Sequence, residues 1–103
     1  KEKELITSIL TKDDYLVILD EKGKQMSSEI LAKFIQSRAN ENVKQLVFLV
    51  GGAYGIEETL LKRADFVWSL SLLTFPHQLV RLILAEQIYR ACSISRNEKY
   101  HHE

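Results

Sequence analysis

The chain has 103 residues, 14 basic and 14 acidic side chains, and therefore no net charge at neutral pH. This length suits a single domain, residues 1–103, and the balanced charge argues against a free nucleic-acid binder with a broad basic field. Because Cys92 is the only cysteine, an intramolecular disulfide and a multi-cysteine metal site are excluded, and we expect no bound metal. Neither a run of about 18 apolar residues nor a signal peptide is visible, which favours a cytoplasmic protein without a membrane partner.

Strand and helix patterns alternate along the first half of the chain. The stretch "KEKELITSIL", residues 1–10, has apolar residues at helical spacing and predicts an amphipathic helix. The stretch "YLVILD", residues 15–20, predicts a buried strand that ends in the turn sequence "DEKGK". Next, "SSEILAKFIQSRA" predicts a helix capped by Ser27 or Ser28. A second buried strand is predicted at "QLVFLV", residues 45–50.

The second half of the chain continues this alternation. The stretch "IEETLLKRA" has acids at its start and bases at its end, the order that a helix dipole favours. A third strand is predicted from about Phe66 to Leu70, and a long helix opens near Pro76 and runs to about Ile94. Because each strand is apolar on both faces, we predict an α/β fold with an open parallel sheet and helices on both faces.

The last predicted helix is apolar around most of its circumference. Such a helix has to be covered on more than one side, and a sheet of three strands offers little surface for that purpose. Two interpretations remain open. Either the helix packs within one chain, or a second copy covers it in a symmetric homodimer.

The stretch "LVFLVGGAYG", residues 46–55, poses the main question about function. It does not match G-x-G-x-x-G, and no G-K-[ST] follows it, so both common nucleotide-binding signatures fail. Gly51, Gly52 and Gly55 still allow the backbone to approach a flat or uncharged ligand closely. The alternative is a plain turn between a strand and a helix.

Three segments follow the carboxyl ends of the predicted strands, which is where open α/β sheets bind ligands. They are "LDEKGK" from Leu19, "GGAYG" after Val50 and "LSLLTFPH" after Trp68. The third segment is apolar and hydroxylic, and its leucines with Phe75 suit the wall of an adenine pocket. The absence of Lys and Arg there suits a cationic ligand better than a phosphate. His77 is either a functional group or a histidine of the capping region.

Three motifs in the same order closely resemble the RlmH family of SPOUT-class methyltransferases: "LVGGAYG", "WSLSLLTFPHQLVRLILAEQIYRA" and "NEKYHHE". The resemblance runs from about residue 5 to the last residue. That family uses S-adenosylmethionine to methylate N3 of a pseudouridine in large-subunit ribosomal RNA. The chain departs from the family at its front, where members carry a further strand, helix and strand. The resemblance also implies a homodimer that helps build the active site, and a C-terminal trefoil knot, which physical reasoning alone argues against.

The resemblance implies functional residues at the three strand ends and in the tail. Contacts with S-adenosylmethionine are assigned to Leu19, Gly51, Leu70, Ser71, Leu72, Leu73, Thr74 and Phe75. Because the sulfonium methyl is already activated, the protein mainly aligns the reacting atoms and assists loss of the N3 proton. His77 near the donor, with Tyr100 and His101 in the tail, are the candidate catalytic residues. Arg81, one helical turn after His77, and His102 are candidate RNA contacts.

Alternative interpretations stay open for these residues and for the chain. The tail "YHHE" is otherwise a solvated terminus or a tag remnant, and Arg81 otherwise forms a salt bridge, for example with Glu86. The neutral charge fits an enzyme that acts on an assembled ribosomal particle better than one that searches naked RNA. The main rival is a non-catalytic ligand-binding or dimerisation module derived from this fold. A flavodoxin-like nucleotide binder is disfavoured because the phosphate signatures fail.

Overall fold

A computed structural model describes residues 11–41, 43–51 and 58–96 of the chain. The elements are β1 Tyr15–Lys24, α1 Ser28–Ala39, β2 Leu46–Val50, α2 Glu58–Arg63, β3 Phe66–Trp68 and α3 His77–Ser95. Their order is the predicted one, while the helix predicted at residues 1–10 lies outside the described residues. Within the described ranges, no helix is long and apolar enough to cross a membrane.

The three strands form one parallel sheet in the order β2-β1-β3. The central strand is β1, in which Ile18 pairs with Leu49 on one side and with Val67 on the other. This central place explains why Leu16, Val17 and Ile18 are fully buried and why the strand reads as a continuous apolar run. The predicted open parallel sheet is therefore confirmed.

Helices cover both faces of this sheet. One core cluster joins the sheet to α1 and α3, through Val17, Leu19, Leu31, Ala32, Trp68, Leu84 and Ala91. A second cluster joins Leu16 and Ile18 to Leu60 of α2. Because side chains alternate between the two faces of a strand, β1 supplies apolar residues to both clusters.

The start of α1 follows the predicted capping pattern. The side-chain oxygen of Ser27 accepts a hydrogen bond from the backbone N–H of Ile30 at 3.1 Å. Glu29 lies in the first turn and Arg38 in the last, as the helix dipole favours. Of the two serines proposed as caps, Ser27 is therefore the one that the structure selects.

The strand β1 is longer than predicted, since it continues through the expected turn around Gly23 to Lys24. The pairing register shifts between Leu19 and Lys24, so that both residues face Trp68 of β3. The backbone N–H of Ser69 donates to the carbonyl of Lys24 at 2.8 Å. The residues between Leu19 and Lys24 therefore form a bulge at the carboxyl end of the sheet, a feature that often lies next to functional sites.

The close contact between this bulge and β3 can be tested by substitution of Gly23. A Cβ atom added at Gly23 would lie 2.4 Å from the carbonyl oxygen of Val67, and the backbone of β3 has little freedom to move away. We expect Gly23→Ala to lower the free energy of unfolding by about 1–3 kcal/mol, measured by urea denaturation. Lys22→Ala is the control, because Lys22 is exposed, and we expect it to change stability by about 0.5 kcal/mol or less. Equal stability of the two variants would contradict the close contact.

Candidate functional site

A cavity of about 430 Å³ opens at the carboxyl ends of the three strands. Its wall combines the end of β1, the end of β2, the segment between β3 and α3, and the first turn of α3. Open α/β sheets bind their ligands at this edge, because the carboxyl ends of parallel strands meet there. The volume falls within the range of small-molecule sites.

Most of the residues that sequence reasoning assigned to a ligand line this cavity. Seven of the eight proposed donor contacts do so, namely Leu19, Gly51, Leu70, Ser71, Leu73, Thr74 and Phe75. The eighth, Leu72, has a side chain that is 79% exposed and is not part of the lining. His77 also lines the cavity. The structure thus gathers the three strand ends as expected, while the assignment of each residue to the methyl donor stays a prediction.

The remaining predicted residues lie away from the cavity or outside the described ranges. Arg81 is exposed on α3 and makes no ion pair with the described part of the chain. Glu86, its suggested partner, pairs with Arg90 at 2.7 Å. Tyr100 and residues 101–102 lie outside the described residues. The RNA-binding and catalytic roles proposed for these residues stay predictions.

Two serine hydroxyls hold the segment between β3 and α3. The Oγ of Ser69, a residue only 1% exposed, donates to the carbonyl of Ser71 at 2.8 Å. The Oγ of Ser71 accepts the backbone N–H of Leu73 at 3.0 Å. These bonds satisfy backbone groups in a segment without strand or helix ladders. This part of the cavity wall is therefore held in shape by its own sequence.

Pro76 governs the change from this segment into α3. It lies at the N-cap with φ of −55°, and its carbonyl accepts the backbone N–H groups of Leu79 and Val80 at 3.0 and 3.1 Å. Its ψ of 141° is extended, so Pro76 ends the preceding segment while its carbonyl accepts the first bonds of the helix. As a result, His77 and Val80, in the first turn, both border the cavity.

Asp20 and Glu21 both line the cavity, and sequence reasoning placed their segment there without naming either as a site residue. The stretch "LDEKGK" was interpreted as a turn and as one wall of the crevice, but the acidic pair that follows the buried strand was not given a role of its own. The Oδ1 of Asp20 accepts the backbone N–H of Lys22 at 2.9 Å, which fixes its side chain within the bulge. Among the lining residues that the structure describes, neither Lys nor Arg occurs. The lining therefore suits a cation or a neutral ligand better than an anion.

The fold and the cavity together define an α/β protein with a cavity suited to a small neutral or cationic ligand at the carboxyl edge of a parallel sheet. A family model described as predicted SPOUT methyltransferase matches residues 1–101, and the chain belongs to that family. This membership confirms the fold family inferred from the motifs.

Curated relatives that match the chain carry the name ribosomal RNA large subunit methyltransferase H. The relative from Christiangramia forsetii is 53% identical over 99% of this chain and 65% of its own length. Those from Flavobacterium johnsoniae and Parabacteroides distasonis are 52% and 50% identical over 100% of this chain and 66% of their own lengths. The resemblance noted in the sequence is thereby confirmed. The chain spans about two thirds of the length of these relatives.

The hydroxyl of Ser71 gives a direct test of the preformed cavity wall. We expect Ser71→Ala to speed amide hydrogen exchange of Leu73 about three- to tenfold, because the N–H of Leu73 loses its acceptor. Thr74→Ala is the matched control, since the Thr74 hydroxyl has no hydrogen bond to the described part of the chain. Equal exchange of Leu73 in both variants would show that the hydroxyl does not hold the segment.

Proposed function

We propose that the protein is an S-adenosylmethionine-dependent methyltransferase that modifies N3 of a pseudouridine in large-subunit ribosomal RNA. The observation that carries this proposal is the cavity at the strand ends, whose wall includes seven of the eight residues assigned to the donor. Membership of the SPOUT family supports methyl transfer. The names of the relatives support ribosomal RNA as the substrate class. We further propose a cytoplasmic location and an assembled ribosomal particle as the substrate.

The residues of the cavity fit the chemistry of this donor. Leu70, Leu73 and Phe75 provide apolar surface for an adenine ring, and the bulge adds carboxylates that suit a positively charged sulfonium. S-adenosylmethionine supplies a methyl group that moves to N3 as the carbon–sulfur bond breaks and the nitrogen–carbon bond forms. The wall aligns the reactants and excludes water. Ordered hydroxyl bonds in the wall limit the reorganisation that binding requires.

Loss of the N3 proton needs an acceptor near the bound base. His77 borders the cavity, and we propose it as the group that accepts or relays this proton. Tyr100 and His101 are proposed to position the substrate from the tail, together with His102. Arg81 is proposed to contact an RNA phosphate, which its exposed place one turn after His77 supports.

We also propose that the protein forms a homodimer through α3 and carries the trefoil knot of its family. Leu79, Leu82 and Tyr89 leave an apolar surface on α3, with Leu82 67% exposed. Apolar residues grouped on one helix favour contact with a second copy. This surface supports the interpretation that the long helix is covered from outside its own chain.

A second candidate function is a non-catalytic module that binds the donor or dimerises. The observation that favours it is the apolar surface of α3, on which Leu82 is 67% exposed. Such a module would keep the cavity and the apolar surface of α3 without acting on RNA.

Neighbouring leucines provide a matched test of donor binding. Both are exposed, at 69% for Leu73 and 79% for Leu72, but Leu73 borders the cavity and Leu72 does not. By calorimetric titration with S-adenosylmethionine, we expect Leu73→Arg to weaken binding about tenfold or more, because a cation enters the wall next to the sulfonium. Leu72→Arg is expected to change affinity by about threefold or less. Equal weakening by both variants would indicate that Leu72 also contacts the donor, as the family resemblance implies.

The same chain should then be assayed for transfer of a labelled methyl group to ribosomes that lack the modification. Donor binding with transfer at the pseudouridine supports the proposed enzyme. Donor binding without transfer supports the non-catalytic module. If the folded chain fails to bind S-adenosylmethionine at all, the proposed function is wrong for this chain.

The dimer proposal has its own test in the apolar surface of α3. We expect Leu82→Glu to give a particle of 11.9 kDa rather than twice that mass by light scattering, because a buried carboxylate opposes association. Ser37→Glu adds the same charge on the exposed side of α1 and should leave the mass of the parent unchanged. A parent that is itself monomeric at high concentration would contradict the dimer.

A further inference from the structure

The carboxylate of Asp20 lies where β1 departs from regular pairing with β3. Leu19, the residue before it, is 7% exposed and belongs to the core, and the register shift that follows places Asp20 in the cavity wall. The side chain is half-buried, and its Oδ1 accepts the N–H of Lys22 at 2.9 Å. Its Oδ2 makes no hydrogen bond with the described residues. One carboxylate oxygen is thus fixed and the other is available to a ligand.

We infer that Asp20 is a specificity-determining residue that selects the sulfonium form of the methyl donor over the neutral thioether that remains after transfer. This inference rests on the proposed function, since it concerns the same cavity. Glu21 adds to the same negative field, but it is exposed, so water screens its charge more strongly.

The chemistry of the two ligands leaves charge as their main difference. The donor and its product share the adenine, the ribose and the amino-acid end, and they differ by one methyl group and one positive charge on sulfur. Apolar contacts with Leu70, Phe75 and Val80 therefore hold both ligands nearly alike. A carboxylate interacts with the sulfonium but has little to gain from a neutral thioether, and it does so more strongly beside apolar walls than in open water.

No Lys or Arg side chain among the described lining residues neutralises this carboxylate. The backbone N–H of Lys22 orients it without removing its charge. Once the methyl group has moved, the sulfur loses its charge and this attraction disappears, which favours exchange of product for fresh donor. Asp20 would therefore determine specificity because it binds the charged donor more strongly than the neutral product, and not only because it adds to the affinity for the donor.

The test compares the affinities of S-adenosylmethionine and S-adenosylhomocysteine for the whole chain by calorimetric titration. Asp20→Asn removes the charge and keeps an amide oxygen that can still accept the Lys22 N–H. Asp13→Asn is the matched control, because Asp13 is exposed beyond the amino end of β1, at the opposite edge of the sheet. In Asp20→Asn we expect the preference for the donor over the product to fall about three- to tenfold, mostly through weaker donor binding. In Asp13→Asn it should change by about twofold or less.

Each outcome of this comparison decides the inference. Equal weakening of both ligands in Asp20→Asn would assign the residue a structural role and overturn the proposal, as would an unchanged preference. A larger effect from Glu21→Gln than from Asp20→Asn would assign the selection to Glu21 instead. A parent that binds both ligands equally would overturn the inference alone and leave the proposed function standing. A folded parent that binds neither would overturn the proposed function, and the role of Asp20 with it.

Discussion

The burial of the central strand β1 between two parallel neighbours is the constraint on which the rest of the structure depends. Leu16, Val17 and Ile18 are fully buried, and they supply both core clusters, one on each face of the sheet. Because both neighbours run parallel to β1, all three carboxyl ends meet at one edge. The parallel pairing therefore places the cavity at that edge, whichever side chains line it.

The opposite edge of the sheet is held by polar contacts that serve the fold. The Oδ2 of Asp65 accepts the backbone N–H of Leu16 at 2.8 Å and pairs with Arg63 at 3.1 Å. The same guanidinium donates to the carbonyls of Thr11 and Asp14 at 2.9 Å each. These bonds join the α2–β3 connection to the segment that enters β1. The amino edge therefore fixes the arrangement of the strands, while the carboxyl edge is left open for a ligand.

Much of this arrangement could be predicted from the sequence, because apolar periodicity reports burial directly. The strand at residues 15–20 is apolar on both faces, which indicates a central parallel strand. The segment from residue 70 to residue 75 lacks charge, which is the signal that predicted a cavity wall there. Ser27 at the start of α1 is a local signal that the structure also bears out.

The features that could not be predicted depend on contacts between distant segments. The bulge after Leu19 brings Gly23 against the backbone of Val67, far along the chain, and a turn signal does not reveal such a contact. Leu72 lies outside the cavity lining although Ser71 and Leu73 border it, a difference between neighbours that no hydropathy pattern encodes. Sequence patterns identify which segments form the site, and tertiary contacts decide which side chains face it.

The charge of the cavity also constrains how an RNA substrate would enter under the proposed function. A lining that carries carboxylates and, among its described residues, no Lys or Arg attracts a sulfonium and repels phosphates by the same field. The RNA backbone would therefore stay outside, and only an uncharged base would reach the donor. That requirement favours a nucleotide presented by an ordered RNA surface, because the cavity offers no attraction to a flexible strand. The balance of 14 basic and 14 acidic residues leads to the same conclusion. An enzyme with no net charge would bind its RNA substrate through shape complementarity and not through long-range electrostatic attraction.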